Sequence, residues 1–153
     1  MAKLPTSKIN CVIDASVLLA VFFNEPFHPD IPALFDNAVI TTFNLAEAVN
    51  SVLIKKGGDE NLIWNFLGNF VQNHYPLDDD LSFEVIKMTK LAKPLGLSLG
   101  DRYCIALRKI LQVPVYTADR VWKDLEEPVG VLINLITDVT QPAPDFQIQR
   151  AET

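Results

Sequence analysis

Ile9-Asn10-Cys11-Val12-Ile13-Asp14-Ala15-Ser16 is a short apolar run that stops abruptly at an acid and two small residues. Its β-branched members favour a strand, and Val17 to Phe23 reads as the helix that follows it. The same junction recurs along the chain. Pro29 to Asn37 gives a short helix, since proline is tolerated in a first turn, and Ala38 to Thr41 gives a second strand. Thr42 reads as the N-cap of a long helix to Lys56, with Leu45, Val49, Val52 and Leu53 on one face and Gly57-Gly58 as its stop. Asp59 caps another helix, whose Leu62, Ile63, Phe66, Leu67 and Phe70 recur at helical spacing until Tyr75-Pro76 ends it. A further helix runs from near Asp79 to Pro94-Leu95-Gly96. Ser98-Leu99-Gly100-Asp101 has the Ser-x-x-acid pattern of a helix start, and that helix should reach Leu111. Val113 to Thr117 is a strand, Ala118 to Glu126 a short helix and Val129 to Ile136 a last strand. Strands alternating with helices predict an α/β fold, a three-layer α/β/α sandwich around a short parallel sheet.

Composition agrees with one globular domain. The chain has 153 residues, 49% of them hydrophobic, with 13 Lys+Arg against 19 Asp+Glu, so 13 − 19 = −6. A domain of that length buries roughly 70% of the surface its unfolded chain exposes, enough for a core without staples. Residues 1–137 carry the pattern, and residues 138–153, polar and proline-bearing, read as a loosely held tail. Cys11 and Cys104 lie in apolar stretches without metal or redox spacing, which fits a reducing, cytoplasmic setting. No run of about 18 apolar residues suggests a membrane span. Net acidity argues against a protein that coats nucleic acid non-specifically. The stretch from Arg102 to Lys123 is locally basic, however: Arg102, Arg108, Lys109, Arg120 and Lys123 stand against Asp119 alone.

In a doubly wound sheet, ligands sit at the carboxyl ends of the strands where strand order reverses. Asp14 and Asp119 both follow such ends. Each has a bland reading as a helix cap, and Asp101 in a first helical turn is favoured by the macrodipole in any case. Glu47 lies among apolar helical residues (Leu45, Ala46, Ala48, Val49) and gains little from the dipole. Topology shifts the balance, because two strand ends and two helix starts, each with one acid, can converge on a single crevice. Carboxylates about 5 Å apart repel by roughly 3 kcal/mol at an effective dielectric near 20, so such a cluster must hold cations or protons. Oxygen ligands without His or Cys select Mg²⁺ or Mn²⁺, and the natural chemistry of such a site is phosphodiester hydrolysis.

Four blocks carry a resemblance: Val12-Ile13-Asp14-Ala15-Ser16, Asn44-Leu45-Ala46-Glu47, Leu97-Ser98-Leu99-Gly100-Asp101-Arg102 and Tyr116-Thr117-Ala118-Asp119. In that order and spacing, from about residue 9 to 136, the chain resembles the PIN-domain nucleases, and within them the VapC-type toxins. The resemblance implies Mg²⁺- or Mn²⁺-dependent endoribonuclease activity, in-line attack by water leaving a 5′-phosphate, frequent homodimers, and silencing by a cognate antitoxin. Carried over by position, Asp14, Glu47, Asp101 and Asp119 match the family's acidic cluster and candidate metal ligands. Thr117 stands where a supporting hydroxyl is expected, and Ser16 lies beside the first acid. Glu47 is expected to bind through water. The tail and the segment Pro26 to Pro32 depart from the motifs and bear on substrate choice.

Other readings stay open at this level. Arg102, Arg108, Arg120 and Lys123 could contact an RNA backbone or simply be solvated, and Tyr103 and Trp122 could stack on bases or belong to the core. The apolar faces between Thr42 and Phe70, including Trp64, Phe66 and Phe70, exceed what a small sheet needs and suggest a homodimer or antitoxin contact. A catalytically silent binding module for a protein or RNA is the main alternative to an enzyme. A phosphoryl-accepting receiver domain is disfavoured, because Ala118-Asp119-Arg120 supplies an acid where such a site needs a lysine.

Overall fold

The computed structural model describes residues 8–120, 122 and 133–136. Among these, five strands form one wholly parallel sheet in the order β3-β2-β1-β4-β5: β1 Cys11–Ile13, β2 Ala38–Thr41, β3 Asn73–Tyr75, β4 Val115–Thr117 and β5 Ile133–Leu135. The chain winds outward from β1 to β3, then returns to the other side of β1. The switch point therefore lies between β1 and β4.

Helices cover both faces. On one side Cys11 and Ile13 of β1, with Ala38, Ile40 and Tyr116, pack against α1 (Ala15–Phe22), α2 (Thr42–Lys56) and α3 (Glu60–Phe70). Val12, Val39, Val115 and Ile133 point the other way, against Leu81 and Val85 of α4 (Asp79–Lys87) and Cys104, Ile105 and Leu107 of α6 (Leu99–Leu111). Strands buried on both faces explain why β1 and β2 read as unbroken apolar runs. Each large core side chain contributes about 1.5–3 kcal/mol by leaving water.

Four local expectations need correction. Tyr75 belongs to a strand, β3, because Asn73 to Tyr75 pair with Val39 to Thr41 of β2. The segment from Asp79 breaks into two helices, α4 and α5 (Thr89–Leu95), with Gly96 closing α5 at a φ of 69°. Ile31–Asn37 is a 3-10 helix with Pro32 in its first turn. The N-cap of α2 is Thr41, whose hydroxyl accepts from Asn44 N–H at 3.0 Å, one residue before the expected Thr42. The expected helix to Glu126 and the tail from residue 138 fall outside the described residues, apart from Ala118, Asp119, Arg120 and Trp122.

Candidate functional site

The register of β1 against β4 sets the first wall of the site. Ile13 lies beside Tyr116, and Asp14 N–H donates to the Tyr116 carbonyl at 3.3 Å, which carries the ladder one residue past the strand. Asp14 thereby arrives next to Thr117. Asp14 occupies the N-cap of α1, yet its side chain makes no capping hydrogen bond. Its carboxylate is instead seated by hydroxyls: Ser16 Oγ donates to Oδ1 at 2.5 Å and Thr117 Oγ1 donates to Oδ2 at 2.8 Å. Those hydroxyls are themselves fixed. Ser16 Oγ accepts from Ala118 N–H at 2.9 Å and Thr117 Oγ1 accepts from Asp119 N–H at 3.1 Å. Asp14 thus stands at the helix N-cap, as the bland reading has it, and its carboxylate is in addition bound by hydroxyls from α1 and β4.

The second wall comes from two helix starts. Glu47, half-buried one and a half turns into α2, receives Asn44 Nδ2 on Oε1 at 2.8 Å. The same amide nitrogen donates to the Gly100 carbonyl of α6 at 3.1 Å. Gly100 lets the helices close up: a Cβ there would stand 2.7 Å from Glu47 Cδ. Next to it, Asp101 completes a capping box with Ser98, its Oδ2 accepting from Ser98 N–H at 3.0 Å while its own N–H donates to Ser98 Oγ at 3.1 Å. For Asp101 the bland reading holds, and the carboxylate nonetheless faces the others.

Electrostatics shows the convergence. Burial lifts the Asp14 carboxyl to a pKa of about 6; the hydroxyls of Ser16 and Thr117 and the Val17 N–H oppose that rise, and the Asp101 charge adds to it. Burial also raises Glu47, opposed by the Asn44 amide and assisted by Asp101. The buried Cys104 thiol is raised well above its ordinary value, first by burial and then by Asp14, Asp101 and Glu47 together. Asp14, Glu47 and Asp101 are therefore close enough to influence one another electrostatically. Among the described residues no lysine or arginine forms an ion pair with any of them.

An all-oxygen donor set, mutually repelling and without an ion-paired lysine or arginine among the described residues, fits a hard divalent cation held by one or two carboxylates and several waters. Among the described residues, however, no group of three or more His, Cys, Asp or Glu side chains is placed so as to hold a metal ion, so an ion here would rest on one or two carboxylates and water. Asp119 stands at the rim, exposed, tied to the site by its backbone bond to Thr117.

The PIN-domain family model matches residues 11–128. The chain belongs to the PIN-domain family, a family of nucleases. Solved structures with the same fold include VapBC2 from Rickettsia felis bound to a promoter DNA fragment, with a TM-score of 0.65 and 11% identity over 83% of this chain and 98% of that one. VapBC-1 from nontypeable Haemophilus influenzae gives 0.62 and 15%, over 85% of this chain and 100% of that one. VapBC-5 from Mycobacterium tuberculosis gives 0.57 and 19%, over 83% and 98%. At such identities the likeness speaks for the fold. No curated protein matches the chain in sequence.

Within this PIN domain the other candidates divide. Trp122 is 4% exposed and packs in the core, so it offers no face to a base. Tyr103 stacks on Phe43, ring centroids 5.3 Å apart, with its hydroxyl 3.4 Å from Ser82 Oγ. Arg102 folds back on the Ser98 carbonyl at 3.4 Å, and Arg108, in the last turn of α6, has its Nε buried. Arg120 is exposed just beyond Asp119; Lys123 lies outside the described residues. Asn44, quoted in a motif but given no task by sequence reasoning, is 2% exposed and linked to both helix starts. A buried Asn three residues before an acid in a helix is the signal that could have found it.

Proposed function

We propose that this PIN domain is a Mg²⁺- or Mn²⁺-dependent endoribonuclease that hydrolyses RNA phosphodiester bonds and serves as the toxin of a toxin–antitoxin pair. What supports it is the electrostatic coupling of Asp14, beside the β1–β4 switch point, with Asp101 and of Asp101 with Glu47, with no lysine or arginine ion-paired to them among the described residues. Asp14 and Asp101 would hold the ion, with Glu47 acting through water and Asp119 closing the rim. When bound, such an ion polarises a phosphoryl oxygen and makes water a better nucleophile near neutral pH. Ser16 and Thr117 fix the direction of the Asp14 lone pairs, and Asn44 fixes Glu47.

Cleavage of structured and single-stranded RNA with Mg²⁺ or Mn²⁺ tests this reading. Asp14→Asn and Asp101→Asn should abolish cutting, and an asparagine at 101 can still accept from Ser98 N–H, so the cap survives. Variants that cut as fast as the parent would contradict the proposal. The alternative, a silent binding module, draws support from the commitment of Asp101 to its capping box. It predicts no cutting at any metal concentration.

Partners follow from the surface and from relatives. Ile54, Leu62, Trp64 and Phe66 on α2 and α3 are 75%, 72%, 36% and 52% exposed, and Phe83 and Ile86 on α4 are each 63% exposed. These side chains lie on two opposite helical layers, and exposed apolar faces of this kind are surfaces a partner could cover. Several structural neighbours are toxin–antitoxin complexes. A cognate antitoxin and a second copy of the chain are the proposed occupants. Among the described residues, no helix is long and apolar enough to cross a membrane.

A further inference from the structure

Asn44 is almost fully buried, and a buried carboxamide must use its donors and acceptor or lose stability. It uses them on three different elements. Its Oδ1 accepts from the Thr41 hydroxyl at the end of β2 at 2.6 Å, and its Nδ2 donates to Glu47 Oε1 in α2 at 2.8 Å and to the Gly100 carbonyl in α6 at 3.1 Å. The orientation of the amide is decided by chemistry. Turned over, its oxygen would face two acceptors and its nitrogen would face the Thr41 hydroxyl.

Gly100 presses from the opposite side. A Cβ at that position would run into the Glu47 carboxyl, so the Glu47 head group lies flat against the α6 backbone one residue before Asp101. Two independent constraints therefore converge on one side chain: an amide that holds Glu47 from within α2, and a missing methyl that leaves it room at α6. At this position in the first turn of α6 the absent Cβ is what leaves room for the Glu47 carboxyl.

We propose that Asn44, with Gly100 as its counterpart, is a positioning residue that sets where the Glu47 carboxylate stands relative to Asp101. The role rests on the reading of this site as a divalent-metal nuclease. Asn44 touches neither substrate nor ion. It acts through Glu47, and the bond to Gly100 makes the spacing between α2 and α6 the same variable as the spacing between the two carboxylates.

The test is Mn²⁺ titration by calorimetry on the full chain, paired with RNA cleavage as a function of Mn²⁺. Asn44→Ala should weaken Mn²⁺ binding about 10- to 100-fold, as loss of an outer-shell partner does, and raise the Mn²⁺ needed for half-maximal cleavage while leaving the rate at saturating Mn²⁺ within about threefold. In a Glu47→Gln background the same substitution should cause no further loss of binding. An equal loss in both backgrounds would overturn the proposal, since Asn44 would then act on the fold alone. Should Asn44→Ala fail to fold, Gly100→Ala answers the question from the other side. Its methyl meets only the end of a flexible side chain, so melting should be unchanged or higher while Mn²⁺ binding falls by a similar factor. Unchanged Mn²⁺ binding in Gly100→Ala would overturn the proposal as well. Failure of the nuclease reading looks different: the parent and Asp14→Asn would bind Mn²⁺ equally weakly and neither would cut.

Discussion

On the β1–β4 wall a carboxylate is buried and seated by hydroxyls from both strand ends, whereas on the α2–α6 wall two carboxylates are held at helix starts and stay partly in solvent. The first arrangement costs stability when Asp14 ionises. Its pKa of about 6 records that cost, and the hydroxyls offset only part of it. The second arrangement costs less, and part of it stabilises the fold, since Asp101 caps α6. The two walls thus hold their acids by different means: Asp14 by buried hydroxyls, Glu47 by the Asn44 amide and Asp101 by its capping box.

The largest expected effect separates the walls directly. Asp14→Asn should reduce cleavage by at least about 100-fold, more than loss of an outer-shell partner alone. It should also make the metal-free protein more stable at pH 7, by up to about 3 kcal/mol, the equivalent of the interval between 3.8 and about 6. Asp101→Asn should bring no comparable gain. Chemical denaturation of the two variants at pH 7 checks the contrast, and equal stabilities would erase it.

Next comes the pH dependence. Unfolded, Asp14 releases its proton near 3.8; folded, it does so near 6. Between these values the folded state binds more protons, so Asp14 makes stability fall as pH rises through the window and adds no further slope above it. Melting curves from pH 4 to 8, with Asp14→Asn as reference, should show this component missing in the variant. Divalent metal at pH 7 should restore stability to the parent and not to Asp14→Asn.

Ser16→Ala should have a smaller effect on the first wall, about a tenfold loss of Mn²⁺ affinity, because it frees one oxygen of Asp14 and removes the partner of Ala118 N–H. It should also raise the Asp14 pKa further, since the lost hydrogen bond was a lowering influence, and carboxyl NMR titration reads this. The smallest effect belongs to the outer face of α3. Leu62→Ser, 72% exposed in the parent, should change monomer stability by less than about 0.5 kcal/mol and leave cleavage intact, yet weaken self-association or partner binding in light scattering.

The first wall was the more legible in the sequence. β1 ends at Ile13, just before Asp14, and β4 at Thr117, where their apolar runs stop, and chain position alone brought both to the sheet's carboxyl edge. The second wall depends on how closely two helices approach, which Gly100 permits and no periodicity reveals. β3 went unread because Asn73-His74-Tyr75 is a three-residue edge strand without an apolar run; its identity comes from pairing with β2. The α4–α5 break at Met88 falls inside a stretch whose apolar spacing continues across it. For Trp122 and Tyr103 the sequence left base stacking and core packing both open, because the core around Trp122 and the ring of Phe43 against Tyr103 are tertiary contacts.

Anomalous scattering from a Mn²⁺-soaked crystal would decide whether the two walls serve one ion. A peak about 2.0–2.4 Å from carboxylate oxygens of both Asp14 and Asp101, lost in Asp14→Asn, is the expected outcome. A fully occupied peak elsewhere on the molecule, or none at a concentration that supports cleavage, would mean that these carboxylates do not form the metal centre.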